Sequence, residues 1–455
     1  MVSENEATKE SSRLSLFRDR NFLWLWLAYV ISNLGDTALA FAIPVTVYSA
    51  TNNKTALALS AVFGTLPVVL FGLAGGVFAD RWNRRRTMIA ADIGRALAVL
   101  LLLGIPAAHF IPTAHSKAHL NGHDMSLVYA ASFLVASLSC FFSPARQSLL
   151  PVLMPRERLL QANGLMLSAS QATLFLGPML GWLLVSRLHP RGVFLFDAAT
   201  FLASALFVRL IANVVVVPGK KSARGVAGLW REAGEGLRYV WTSRVLRPSL
   251  VLLAIVVVGG AVYNTLEFPF VRDLWGGTIR QYGLLVSLSG LAAVLTGLAT
   301  VGPIRSAPPV RLVAPGFVGM GLTGLVFAVS TNIYLGGAMI FLMTVANTFS
   351  NLGQMTLFLA TAPNHLQGRV SATVGLVNKL SLLVGAALAA VLTTFFPTGA
   401  ALRPIFGGFG VSYILCGLLA WLLLGRLDRP AFAPPATPAP PPDPPRPKAF
   451  ARVEP

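Results

Sequence analysis

The chain has 455 residues, of which 55% are hydrophobic and only 12% charged, and its formal net charge is +19. So much apolar surface with so little charge excludes an ordinary soluble domain and predicts a polytopic membrane protein. The Lys and Arg excess falls in the termini and between apolar blocks, so it reads as topology rather than as a nucleic-acid footprint.

Met1 to Ser15 is polar and lacks the shape of a signal peptide. Apolar runs follow at 21–49, 56–78, 87–107, 126–147, 163–185 and 193–211, then at 249–270, 281–302, 312–330, 333–359, 370–396 and 401–425. Most are near or above the ~20 residues that cross a bilayer as helix. The expected fold is all-α: about twelve transmembrane helices in two six-helix halves, 21–211 and 249–428, as in repeats related by an axis along the membrane normal. A cytoplasmic segment (1–20) precedes them and a basic linker (212–248) joins them. In the linker, Leu229, Trp230, Ala233, Leu237, Val240 and Trp241 recur at helical spacing, which predicts a helix on the inner membrane surface. The end, 429–455, is dominated by Pro and Ala and is expected to be an extended, disordered cytoplasmic tail. The distribution of Lys and Arg places both termini in the cytoplasm of a cell-membrane protein. Cys140 and Cys416 fall in predicted spans and form no disulfide framework.

Between the second and third runs lies Gly76-Val77-Phe78-Ala79-Asp80-Arg81-Trp82-Asn83-Arg84-Arg85-Arg86. A connection this short and this rich in Arg reads as a tight hairpin on the cytoplasmic side. Its pattern, Gly76-x-x-x-Asp80-Arg81-x-x-Arg84-Arg85, resembles the signature loop of the major facilitator superfamily of secondary transporters, with Asn83 where that family usually has Gly. Ala90 to Ala96, Ser143-Pro144-Ala145-Arg146-Gln147 and Gly368-Arg369-Val370 are similar to the branch that contains bacterial macrolide-efflux proteins and the enterobactin exporter. Gly177-Pro178-Met179-Leu180-Gly181 resembles the element associated with exporters there, with Trp182 replacing the second Gly of the usual pair. The matching loop of the second half, Gly302 to Arg305, has lost the acidic residue.

The resemblance implies two halves that rock around a central cavity, driven by a proton gradient. Asp80 would then hold a cytoplasmic gate against the start of the eleventh helix near Gly368 and Arg369, where free N–H groups and a partial positive charge suit a carboxylate. Arg81, Arg84 and Arg85 would keep the hairpin in water, and Arg146 is expected near Asp80.

A charge at mid-bilayer costs at least ~2.5–3.5 kcal/mol on insertion scales, so each one needs a reason. Asp36 lies in the first run and Glu267 in the seventh. Lys379 lies about 15 Å beyond Arg369 along the eleventh, from the helical rise. The expectation is that Asp36 or Glu267 exchanges a proton, with Lys379 as charge partner; a fixed ion pair between helices is the alternative. Asp92 and Arg95, one turn apart, read as a gate or packing pair, and Asp197 as structural. Asn264, Asn347, Asn351 and Asn378 supply uncharged polar groups. His109, His115, His119 and His123 read as a solvated loop, so no metal site is expected, and no cofactor. The loops are short and hold neither a nucleophile–base pair nor a nucleotide-binding loop, which argues against an enzyme.

These readings converge on a secondary active transporter that exports an amphipathic small molecule, drug- or macrolide-like, in exchange for protons by alternating access. Its partners are that molecule, protons and the lipid bilayer, with no nucleic acid. Export of a siderophore or other secondary metabolite, or movement of a lysolipid, is the alternative, and a receptor or scaffold that no longer transports is a further one.

Overall fold

The structure is a computed structural model that describes residues 15–110, 120–212, 226–299, 310–363 and 366–424, with the backbone alone for 15, 73–81, 107–108, 226–230, 232–233 and 310. The side chains of Asp80 and Arg81, the loop Gly302–Arg305, His115, His119 and the Pro-rich tail lie outside the described residues, and of Gly76 only the backbone is described.

Local chemistry sets the helix ends. Asp19 opens α1 (Arg20–Thr51) by accepting from Asn21 N and Phe22 N, and Asn52 closes it in the left-handed region at φ 51°. The Asn53 carboxamide then starts α2 (Lys54–Arg81) by accepting from Thr55 N at 2.8 Å. Asn83, where the resembling loop has Gly, is the N-cap of α3 (Arg84–Leu100): its side chain accepts from Arg86 N. A capping box of Asn121 and Asp124 begins α4 (Gly122–Leu153).

The fifth and sixth runs, expected as separate spans, form one stretch of helix, Leu159–Leu210, broken only at His189 with φ 58°. Pro190 follows and cannot donate a backbone hydrogen bond, so the chain turns there without a loop. Its arms, 159–188 and 190–210, are α5 and α6. Beyond the linker helix α7 (Val226–Thr242) come α8 (Leu246–Trp275), α9 (Ile279–Ala299), α10 (Val310–Val329), α11 (Ile333–Thr361), α12 (Gln367–Phe395) and α13 (Leu402–Leu424). Among the described residues, eleven helices are long and apolar enough to cross a membrane. The Leu159–Leu210 stretch counts once among them and comprises two spans. Exposed Leu97, Leu298, Leu418 and Trp421 belong to the greasy exterior such a bundle presents to lipid.

In the first half α1 packs on the α5–α6 stretch and α4 on α2 and α3; in the second, α10 packs on α11 and α13, and α12 on α8. Across the seam α2 meets α12, and α5 meets α9, where Gly290 lets the backbones of Leu174 and Phe175 approach. At the face remote from the described chain ends, one buried apolar cluster runs through both halves and includes Val45, Tyr48, Leu266, Phe270, Phe327 and Phe406. At the face of the described ends the clusters are separate: Phe22, Met88 and Met154 in the first half, Val256, Phe317 and Tyr413 in the second. The halves are therefore fused at the distal face.

Candidate functional site

The exporter-like element of α5 acts as a notch for α1. A Cβ on Gly181 would stand 2.9 Å from the Ala38 carbonyl oxygen, and one on Gly177 would overlap Thr37. Small residues let these two backbones touch beside Asp36. Trp182, which departs from the usual Gly pair, packs on Gly283 of α9 and joins the two halves. Gly35 is a second notch, filled by Asp197 and Thr200 of α6.

Between these notches sits Arg95 of α3, 2% exposed. Its guanidinium lies between the rings of Phe142 and Phe201, 4.3 Å from each centroid. It donates to Asp92 one turn back, to Asp36 Oδ2 at 3.3 Å and to Ser32 Oγ at 3.3 Å. The Ser204 hydroxyl donates to Asp92 Oδ2 at 2.7 Å, and Thr200 to Asp197 Oδ1 at 3.3 Å.

Asp36 is a third exposed, and it faces a cavity of about 370 Å³ under the distal closure. The wall is formed by Ile43 and Pro44 of α1, Ser60 and Thr65 of α2, Val99 of α3, Ser132 and Val135 of α4, and Asn264 and Thr265 of α8. Among the described lining residues Asp36 alone carries a charge. The surface is thus mostly apolar with scattered hydroxyl and amide groups, suited to an uncharged or cationic amphipathic molecule.

The other sequence candidates are dispersed. Lys379 of α12 does not reach Asp36 or Glu267; its Nζ points at Gly72 of α2, close to Cys140 of α4, and Arg95 takes the partnership expected of it. Depth along a helix matched Lys379 to mid-bilayer, but the helix face it occupies turns it elsewhere. Glu267 is buried in α8 among distal aromatic residues, with Tyr263 one turn before it and Tyr282 of α9 within electrostatic range, and it has no ion pair among the described residues. Arg146 stacks on Tyr29 at 4.2 Å. Arg85, expected in water, donates to the Val208 and Arg209 carbonyls and so caps the end of α6, where a cation complements the helix dipole. Arg84, half-buried, opens α3. Arg369 pairs with Glu235 of α7 at 2.7 Å, and Gly236 lies against the Arg369 carbonyl. The linker helix is thus docked on the start of α12: Val240 is buried in the protein, while Leu237 and Trp241 stay exposed.

Sequence reasoning missed the distal fastening. Lys54, at the start of α2, sits 2.8 Å from Asp273 of α8 and donates to the Pro397 carbonyl at 3.2 Å. The Tyr48 hydroxyl donates to Asp273 at 2.6 Å, with Arg272 stacked over its ring. No motif marks these residues; only the fold joins them.

The family model described as Major Facilitator Superfamily matches residues 25–272. The chain is 24% identical to the enterobactin exporter EntS of Salmonella typhimurium, over 91% of this chain and 95% of that one. It is 24% identical to macrolide efflux protein A of Streptococcus pyogenes (81% and 88% covered), and 23% to the uncharacterized MFS-type transporter YfiS of Bacillus subtilis (89% and 92%). Among solved structures it superposes on a bacterial homologue of the human lysosomal transporter Spinster with a TM-score of 0.70 at 15% identity, covering 92% of this chain and 99% of the other. The nucleoside transporter NupG gives a TM-score of 0.74 at 8% identity, covering 89% and 99%. Fold, apolar helices and family match agree: the chain belongs to the Major Facilitator Superfamily and is a membrane transporter, not an enzyme.

Proposed function

We propose that this transporter exports an amphipathic small molecule from the cytoplasm in exchange for protons. The observation that carries the reading is Asp36: the one charge among the described residues of the cavity wall, and tied at the same time to a buried guanidinium. A carboxyl in that position binds either a proton or the positive end of a substrate, which is the competition antiport requires. The exporters of enterobactin and macrolides among its relatives support the outward direction. The Arg-rich hairpin and the chain ends face the cytoplasm in this reading. The distal closure then makes the described state one whose cavity communicates with the cell interior, and alternating access follows from transferring the closure to the other face.

The test is a panel of a macrolide, a catecholate siderophore and a labelled lysolipid, added to acid-loaded inside-out vesicles. A transported compound enters the lumen and protons leave, so lumenal pH rises; Asp36→Asn abolishes the rise. Compound uptake with no proton release would defeat the antiport reading. An impermeant maleimide reacting from outside intact cells with a cysteine at Asn83 would defeat the orientation.

A further inference from the structure

The transport reading uses Asp36 but not the acids behind it. Two carboxyls pair with Arg95, Asp36 of α1 and Asp92 of α3, and a third, Asp197 of α6, lies within electrostatic range of all three against Gly35; Asp92 and Asp197 are fully buried. The other described residues of the shell are uncharged. α1 adds Ser32, α4 adds Phe142, α5 presents Thr173 and Gly177 to this stretch of α1, and α6 adds Thr200, Phe201 and Ser204. Arg146 of α4 is engaged with Tyr29.

Two buried polar atoms of this group have no hydrogen-bond partner among the described residues: Asp197 Oδ2 and Arg95 Nε. One guanidinium cannot balance three carboxylates, and a buried charge without compensation is removed by proton uptake rather than endured. The hydrogen bonds distinguish the three. Asp92 takes both the Arg95 donor and the Ser204 hydroxyl, which suits the ionised member. Asp197 Oδ1 meets only the Thr200 hydroxyl, at 3.3 Å, a hydroxyl that lies nearer the Asp197 backbone carbonyl at 2.7 Å, and an orphan oxygen is far cheaper on a neutral carboxyl than on a carboxylate. Asp36 alone opens to the cavity.

We infer that the cluster is a two-proton site: Asp92 is the standing counter-ion of Arg95, Asp197 holds a resident proton, and Asp36 holds the proton that is exchanged. On release the Asp36 O–H bond breaks, the proton passes to water in the cavity, and the electron pair stays on the carboxylate facing Arg95 Nη1. The exchange role rests on the transport reading; the resident proton does not.

The experiment is infrared difference spectroscopy in lipid nanodiscs, in a Glu267→Gln background that removes the other buried acid without an ion pair among the described residues. Neutral carboxyls are read by their C=O stretch, which shifts in heavy water. Two such bands are expected near neutral pH: one that titrates and is deleted by Asp36→Asn, and one indifferent to bulk pH that is deleted by Asp197→Asn. Loss of a carboxylate band instead, on Asp197→Asn, overturns the inference. If that variant does not fold, Asp36→Asn decides: a surviving pH-indifferent band supports the resident proton, and its absence refutes it. A wild-type protein that moves no protons yet shows both bands would defeat the proposed function and leave the cluster standing.

Discussion

At the scale of single residues, Arg95 decides the stability of the first half. It is the cation on which Asp36 and Asp92 converge, and it fills the gap between two aromatic rings. Breaking a buried pair by removing one partner costs about 3–5 kcal/mol, because the other charge is left unpaired. Arg95→Gln is therefore expected to lower the melting temperature in detergent markedly, and adding Asp92→Asn to restore much of the loss. A single variant that melts like the wild type would contradict this balance. The acids themselves were legible in the sequence, since a carboxylate inside an apolar run demands an explanation. Their pairing was not, because which helix face meets which depends on the rotation and crossing of helices far apart in the chain. Asp197 and Arg95, assigned to structure and packing by reading alone, prove to stand beside Asp36 for that reason.

At the scale of elements, the departures from the family pattern are informative. Asn83 replaces a glycine and serves as a cap. Asn83→Ala should cost ~0.5–2 kcal/mol and Asn83→Gly only a few tenths, read as urea midpoints or as proteolysis at the hairpin. Equal losses in both variants would rule out capping. The α1–α5 contact makes the opposite demand, for absence of bulk: Gly181→Leu drives a side chain into the Ala38 backbone and the Phe41 ring. Overpacking of this kind costs typically ~1–3 kcal/mol, so a lower thermal midpoint and a displaced α1 are expected. Helix positions were readable to within a few residues from the apolar runs. The fused α5–α6 stretch was not, since a polar segment with Pro190 reads as a loop until the left-handed His189 shows that one residue suffices to turn.

At the scale of the molecule, the two halves share one core at the distal face and keep separate cores at the other. The polar fastening of Tyr48, Lys54 and Asp273 closes the same end. Asp273→Asn weakens it, and every 1.4 kcal/mol or so removed raises the distally open population about tenfold. A cysteine placed at cavity-lining Ser60, with Cys140 and Cys416 replaced by Ser, should then react faster with an impermeant maleimide applied from outside. An unchanged rate would show that the apolar core alone holds that end shut. Two-half architecture was visible in the spacing of apolar runs and the position of the linker, but the state captured between the halves is a property of contacts, which composition does not encode.

Cys140 is buried where α4 meets α2, its thiol 3.7 Å from the Pro67 carbonyl, with Lys379 of α12 close by. The unmodified protein thus carries a natural stopwatch at the α2–α4 contact, on the side where Lys379 of the second half approaches. A small thiol reagent reaches that largely buried sulfur faster during excursions that part these helices, so the velocity of modification follows those excursions. Compounds that are carried should alter the tempo, and bystanders should leave it alone, which offers a way to sort a chemical library without a label on any of its members.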